Sequence, residues 1–158
     1  MPRGELYING KDAYRRWGVS IETAGISALM TPLPLKENVE NSSALSNGKD
    51  VILEETPKID SREVNLVVHL TASSKSEFLS RYYGFCSELK KGRVKIWISH
   101  VPNETYKCIY RNCSQFAEFV FGYGSFTLRL EEDDPTDRSV TSTDYSDASK
   151  TDEEIANE

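Results

Sequence analysis

The sequence is poor in the residues that carry most enzyme and metal chemistry. Its 158 residues include three cysteines and two histidines. Cys86, Cys108 and Cys113 contain no Cys-x-x-Cys pair, and an odd count argues against a disulfide framework. They are expected to be reduced and structural, because a free cysteine packs as a small hydrophobe. His69 and His100 have no nucleophile at a motif spacing, and His69 is expected at the surface. There is no Gly-x-Ser-x-Gly elbow, Gly-x-Gly-x-x-Gly run or phosphate-loop lysine; Gly122-Tyr123-Gly124 lacks the rest of either phosphate motif. Glu131-Glu132-Asp133-Asp134 lacks the alternating oxygen ligands and the glycine of a calcium loop, so it reads as a solvated charge run. Neither catalysis nor a cofactor nor a metal is expected. No run of about twenty apolar residues exists, so no membrane span is expected. The opening Met1-Pro2-Arg3-Gly4-Glu5 has no apolar signal-type stretch. The expectation is synthesis and retention in a cytoplasm, or release by lysis.

Charge is abundant but unevenly placed. Residues 131–158 hold eleven Asp and Glu against Arg138 and Lys150, a balance of −9 within an overall −6. The body, 1–130, keeps 17 basic and 14 acidic residues, a balance of +3. The acidic segment has too few apolar residues to offset the entropy of ordering, so disorder is expected for 131–158. The body is expected to be one domain.

The most legible stretch runs from 61 to 130. Val64, Leu66, Val68 and Leu70 alternate with Asn65, His69 and Thr71, with Val67 as the exception, which predicts a strand with one buried face. Ser74 and Glu77 have capping-box spacing. The following helix carries Phe78, Tyr82, Phe85 and Leu89 on one stripe, widened by Leu79 and Cys86. Lys90 and Lys91 suit its C-terminal dipole, and Gly92 a left-handed exit. Period two then returns at Val94, Ile96 and Ile98, and again at Tyr106, Cys108 and Tyr110 after a turn at Pro102-Asn103-Glu104. The aromatic run 116–121 is ambiguous, and Phe126, Leu128 and Leu130 form a last strand. One helix on a mostly antiparallel sheet gives an α+β, mostly β architecture.

Upstream, Leu6-Tyr7-Ile8 reads as a strand ending in an Asn9-Gly10 turn. Tyr14, Trp17 and Val19 form an aromatic patch, in which Trp17 plugs the core or a protein interface. Residues 21–30 are weakly patterned. Thr31-Pro32-Leu33-Pro34-Leu35 must be extended. A polar stretch with an Asn47-Gly48 turn follows, then Val51-Ile52-Leu53, with Pro57 before Ile59. Segment 33–59 is thus a two-stranded arm or long loop, of the kind that is usually functional or flexible. Lys90, Lys91, Arg93, Lys95, Lys107 and Arg111, interleaved with Trp97, Tyr106 and Tyr110, also admit a small nucleic-acid-binding module using a basic sheet surface. The alternation, however, turns Tyr106 and Tyr110 towards the core.

The order of elements resembles the N-terminal ring domain of bacteriophage distal tail proteins, and more widely the tail-tube fold. The residues that carry the resemblance are Leu6-Tyr7-Ile8-Asn9-Gly10-Lys11-Asp12 with Trp17-Gly18-Val19, the extended loop, the strand at 64–71, the helix at 77–91 closed by Gly92, and the strands at 94–99, 106–112 and 126–130. It covers nearly all of 1–130. The resemblance implies an antiparallel β-sandwich flanked by one α-helix, without catalysis. It implies a homohexameric ring at the tail tip, in contact with other tail proteins, through which DNA passes without specific binding. A tail tube or tail-completion subunit is the alternative. The virion tail is the implied location. A cyclic ring needs a heterologous interface, and Leu33, Leu35, Val51, Ile52 and Leu53 of the arm, with Trp17, are the expected interface residues. No room is seen for an appended receptor-facing domain.

Overall fold

The computed structural model describes residues 3–36, 39–42, 47–52, 57–120 and 122–158, of which 39–42, 49–52 and 118–120 are described by backbone alone. Strands β1 (Leu6–Ile8) and β2 (Lys11–Asp12) are joined by Asn9-Gly10, with Ile8 opposite Lys11. Both turn residues have positive φ, 54° and 84°, as a two-residue turn matched to strand twist requires. Asp12 then caps α1 (Ala13–Trp17), its carboxylate accepting from the Tyr14 and Arg15 amides. Gly18, at φ 64°, ends that helix and releases the chain into β3 (Val19–Ile21).

A second short helix, α2 (Thr23–Leu29), occupies the weakly patterned stretch. It buries Gly25 and Leu29 against the sheet. A Cβ on Gly25 would meet Ile21 Cγ1 at 2.5 Å, so the small residue is what allows the close approach. Strands β4 (Val39–Ser42) and β5 (Lys49–Ile52) pair with each other as a separate two-stranded sheet. They are followed by β6 (Arg62–Thr71), α3 (Lys75–Leu89), β7 (Arg93–Ile98), β8 (Thr105–Val120) and β9 (Tyr123–Glu132).

Among the described residues, seven strands form one antiparallel sheet in the order β2-β1-β7-β8-β9-β6-β3. The fold is α+β and mostly β. The β3 end of that sheet curls back towards β7: Ile21 of β3 with Ile26 of α2, and Ile98 of β7 with Glu5, line a common cavity of about 180 Å³. The layers enclosing the core therefore come from one curled, continuous ladder. Two short helices, α1 and α2, join the single expected one.

The core follows the predicted parity. Val64, Leu66, Val68 and Leu70 are buried, as are Val94, Ile96 and Ile98, and Phe126, Leu128 and Leu130. Three register shifts in β8 explain why 116–121 was ambiguous. They let Tyr110, Cys113 and Phe116 stand opposite Leu130, Leu128 and Phe126, a spacing of three that breaks the period of two. Helix α3 lies over this face. Phe85 packs edge-on against Phe126, Tyr82 stacks on Phe126, and Trp17 meets Phe85 at 5.8 Å. Ser74 caps α3 by accepting from the Glu77 amide at 3.2 Å. The reciprocal half of the expected box differs, since Glu77 pairs instead with the Ser73 hydroxyl and with Arg81 one turn on. Leu79, expected to widen the buried stripe, is 40% exposed.

The acidic segment is where structure and expectation part. Residues 142–149 form a 3₁₀ helix (Ser142–Ser149), and 152–156 form α4 (Asp152–Ala156). The 3₁₀ helix lies along β2, with the Asp147 amide donating to Gly10 O at 3.0 Å and Asp147 Oδ2 accepting from the Asp12 amide at 3.0 Å. Asp144 accepts from the Thr105 hydroxyl at 2.9 Å, and Tyr145 packs on Trp97 at 4.9 Å. Composition counts apolar area, whereas this segment is held by charge-assisted hydrogen bonds to arginines and edge-strand amides.

Candidate assembly surfaces

The arm begins where α2 ends. Leu35 bridges Ile59, the Lys36 amide donates to Lys58 O and the Asp60 amide to Pro34 O, both at 2.9 Å. Beyond this neck, Val39–Ser42 pairs with Lys49–Ile52, which sets Val51 opposite Glu40 and Ile52 opposite Val39. At the neck Leu33 is half-buried and Leu35 is 53% exposed. Leu53 lies outside the described residues. Trp17 sits apart from these, buried beneath α3 with a Cβ on Gly84 only 3.2 Å from its ring. The structure thus brings Leu33, Leu35, Val51 and Ile52 into one excursion from the sheet and leaves Trp17 in the core.

Arg62 roots the arm. Its Nη1 donates to Leu29 O at 2.8 Å, Thr31 O at 3.0 Å and the Thr31 hydroxyl at 2.9 Å. Its Nη2 lies 2.9 Å from Glu132 Oε1, out of line for a hydrogen bond, and Nε makes none. Glu132 is fully buried and is gripped from its other side by Arg138, through Nε at 2.8 Å and Nη2 at 2.9 Å. Both guanidinium groups lie near the Tyr106 ring, Arg62 at 5.7 Å and Arg138 at 4.7 Å from its centre. Arg138 also reaches Glu104 at 3.3 Å. One ionic network therefore ties the neck of the arm to the start of the acidic segment. Sequence reasoning missed it, although Arg62 and Glu132 share the inward parity of Val64 and Leu130.

The basic outer face is largely neutralised from within the chain. Lys107 pairs with Asp137 and Arg93 with Asp133, both at 2.9 Å, Arg111 pairs with Glu131, and Arg129 with Glu63 at 2.8 Å. The partners of the first three come from the acidic segment. The Arg93 guanidinium holds the Asp133 carboxyl below its usual range, and Lys107 and Ser139 do the same for Asp137. Tyr106 is buried, as its parity required. Glu88, also buried, binds Asn9 Nδ2 at 2.9 Å, Lys11 at 3.0 Å and Lys91 at 2.9 Å. Burial acts to raise its pKa, yet the hydrogen bonds from Asn9, Lys91 and Lys11 hold it low.

Among the described residues, no group of three or more His, Cys, Asp or Glu side chains could hold a metal ion. Burial pushes the Cys108 thiol up to about 12. His69 is less exposed than expected: its Nδ1 lies 2.9 Å from the Tyr123 hydroxyl, and its ring stacks on Tyr123. Among the described residues, no helix is long and apolar enough to cross a membrane.

No protein-family model matches the chain, and no curated protein matches it. Among solved structures, it is similar to the SPP1 Dit (gp 19.1) protein, whose crystal structure is described as a paradigm of hub adsorption apparatus in Gram-positive infecting phages. The two superpose with a TM-score of 0.61 over 83% of this chain at 18% sequence identity. The chain spans 50% of that protein's length. At this identity the likeness is one of fold: the chain has a mostly β fold similar to that of the SPP1 Dit protein.

Proposed function

We propose that the chain is a non-catalytic structural subunit of a phage or prophage tail. In this reading it is a distal-tail protein that joins the tail tube to the tip and leaves a central passage for DNA. The observation that carries the reading is the likeness of fold to a phage hub protein over 83% of the chain. The arm supports it. A two-stranded excursion, rooted on a buried arginine and carrying Leu33, Leu35, Val51 and Ile52, is suited to reach a neighbouring subunit, and we propose Leu53 as a further residue of the same contact. Its target need not be a matching surface, since a ring closes through two different patches. Strand β3, the sheet terminus opposite β2, is a suitable receiver, because an added strand would satisfy its outer backbone groups. Trp17 would back that surface from beneath.

The passage of DNA without binding is consistent with a basic sheet face that meets internal carboxylates before it meets phosphate. A nucleic-acid-binding module would need those cations free. The test is light scattering behind a sizing column on the full chain, with and without residues 37–56. A discrete oligomer near six subunits that falls apart when the arm is removed is the expected result. Salt-dependent capture of single-stranded nucleic acid by a monomer would overturn the reading.

A further inference from the structure

The C-terminal helix sits in a cleft that it does not fill. Arg3, Arg15, Arg16 and Arg81 converge there with Trp17, and a cavity of about 420 Å³ remains between them and α4. Arg3 Nη2 and Arg15 Nε hold Asp152 at 2.6 and 2.9 Å. Arg16 Nη2 holds Glu158 at 2.6 Å, and Lys150 reaches the same carboxylate at 2.5 Å. The arginine floor is built in advance. Arg15 donates to Asp147 O and Lys150 O, Arg16 grips the buried Asp147 with both arms of its fork, and Arg81 bonds Thr71 O.

The occupant is much less fixed than the floor. No residue of α4 is buried, and its ion pairs involve carboxylates that are 64% and 43% exposed. Ion pairs of that exposure contribute little net attachment. Thr151, extended, is the short link between α4 and the locked 3₁₀ helix, to which Lys150 is tied by its amide on Asp147 O and its carbonyl under Arg15. Residues 151–158 carry four carboxylates and no cation, so the segment complements the four arginines in charge. Acidic helix and arginine cleft are two different patches of one chain that fit each other.

The geometry points to a second copy of this chain as the cleft's partner: α4 of one subunit docks in the arginine cleft of the next, in exchange for the contact made within a single chain. This deepens the ring reading and rests on it, because a head-to-tail contact between unlike patches is what a closed ring needs.

Zero-length carbodiimide coupling of the full-length Arg3→Lys variant tests it. The substitution keeps the charge and supplies an amine beside Asp152. Equal amounts of light and ¹⁵N-labelled chains are mixed, coupled at low and at 0.5 M salt, digested and weighed. The link between 150 and 158 gives a second reading, since Lys150 stays beside the buried Asp147 while Glu158 travels with α4, so this link too becomes mixed only in the exchanged arrangement. The expected result is mixed-isotope 3–152 links, approaching half of all such links when every contact is between chains, and falling in high salt. Only unmixed 3–152 links would overturn the proposal, whatever the oligomer. The mass of the uncoupled protein separates the two readings. Mixed links in species that do not close at a discrete size leave the cleft standing and remove the ring. A discrete ring with unmixed links does the reverse.

Discussion

Replacing Glu132 with alanine is expected to cost more than any change on the outer sheet face. The carboxylate is fully buried between Arg62 and Arg138, whose side chains are 5% and 14% exposed. Its removal leaves two guanidinium groups beside the Tyr106 ring with no buried counter-charge. Breaking a buried pair in this way costs about 3–5 kcal/mol. That is a large share of a domain stability of about 5–15 kcal/mol. For a chain of this size it corresponds to a fall in Tm of roughly 6–20 °C. The assay is urea unfolding followed by circular dichroism, with the slope m compared between variants so that a change in compactness is not read as a change in stability. Glu132→Gln should fall between wild type and Glu132→Ala, because it keeps acceptor geometry but not charge. Joint replacement by Arg62→Met, Glu132→Leu and Arg138→Met should recover much of the loss, since apolar groups need no partner. The carbonyls of Leu29 and Thr31 would still lose their donor, so recovery stays incomplete. A Glu132→Ala cost below about 1 kcal/mol at unchanged m would show that water reaches the triad and would refute the argument.

Three further outcomes follow from the same contacts. Gly10→Ala should lower stability by about 2 kcal/mol, because φ is +84° and a Cβ would meet Thr143 O at 2.3 Å; limited proteolysis should then cut first within 142–158. Stability should fall with acid: burial acts to raise Asp147 and Glu88, but Arg16 and the Asp12 amide for one, and Asn9, Lys91 and Lys11 for the other, hold both below their ordinary 3.8 and 4.5. With folded values depressed, their contribution is complete above those ordinary values and is lost as pH drops through the folded ones, so the urea midpoint should decline below about pH 4.5, less steeply in Asp147→Asn. Thiol labelling of the native protein near pH 8 should reach Cys86 and Cys113 and spare Cys108, whose burial raises it to about 12; rapid labelling of all three without denaturant would contradict the packing of β8.

Much of the central unit was legible because period and packing coincide there. From Arg62 to Thr71 every inward position is buried, and Val67, the one apolar break in the alternation, is the exposed exception. The Asn9-Gly10 turn and the Gly92 exit were equally direct, each a residue chosen for positive φ. Legibility failed where a second requirement overrode the pattern. In β8 the bulges change the spacing of inward residues, so a strand of sixteen residues looked like a short strand and an aromatic loop. In α2 the helix is under two turns long, and its small residues serve close approach to β6, which leaves no apolar stripe to read.

The acidic segment carries the sharper lesson, because the count of charges was right and the inference from it was not. A segment of net −9 cannot order itself by burying apolar surface. It orders here because the body presents its cations where the carboxylates arrive. Asp147 meets Arg16, Asp133 meets Arg93, Asp137 meets Lys107, and Glu132 meets Arg62. The body's surplus of +3 and the segment's deficit are therefore two halves of one arrangement, not separate properties. That arrangement also has a direction. Within 132–147, Glu132, Asp144 and Asp147 are buried and Asp147 closes the β2 edge of the sheet, while the contacts at 152–158 are exposed and sit in a cleft with room to spare. The first set fixes the subunit. The second is weak enough to be given up within a chain if a neighbouring chain offers the same charges.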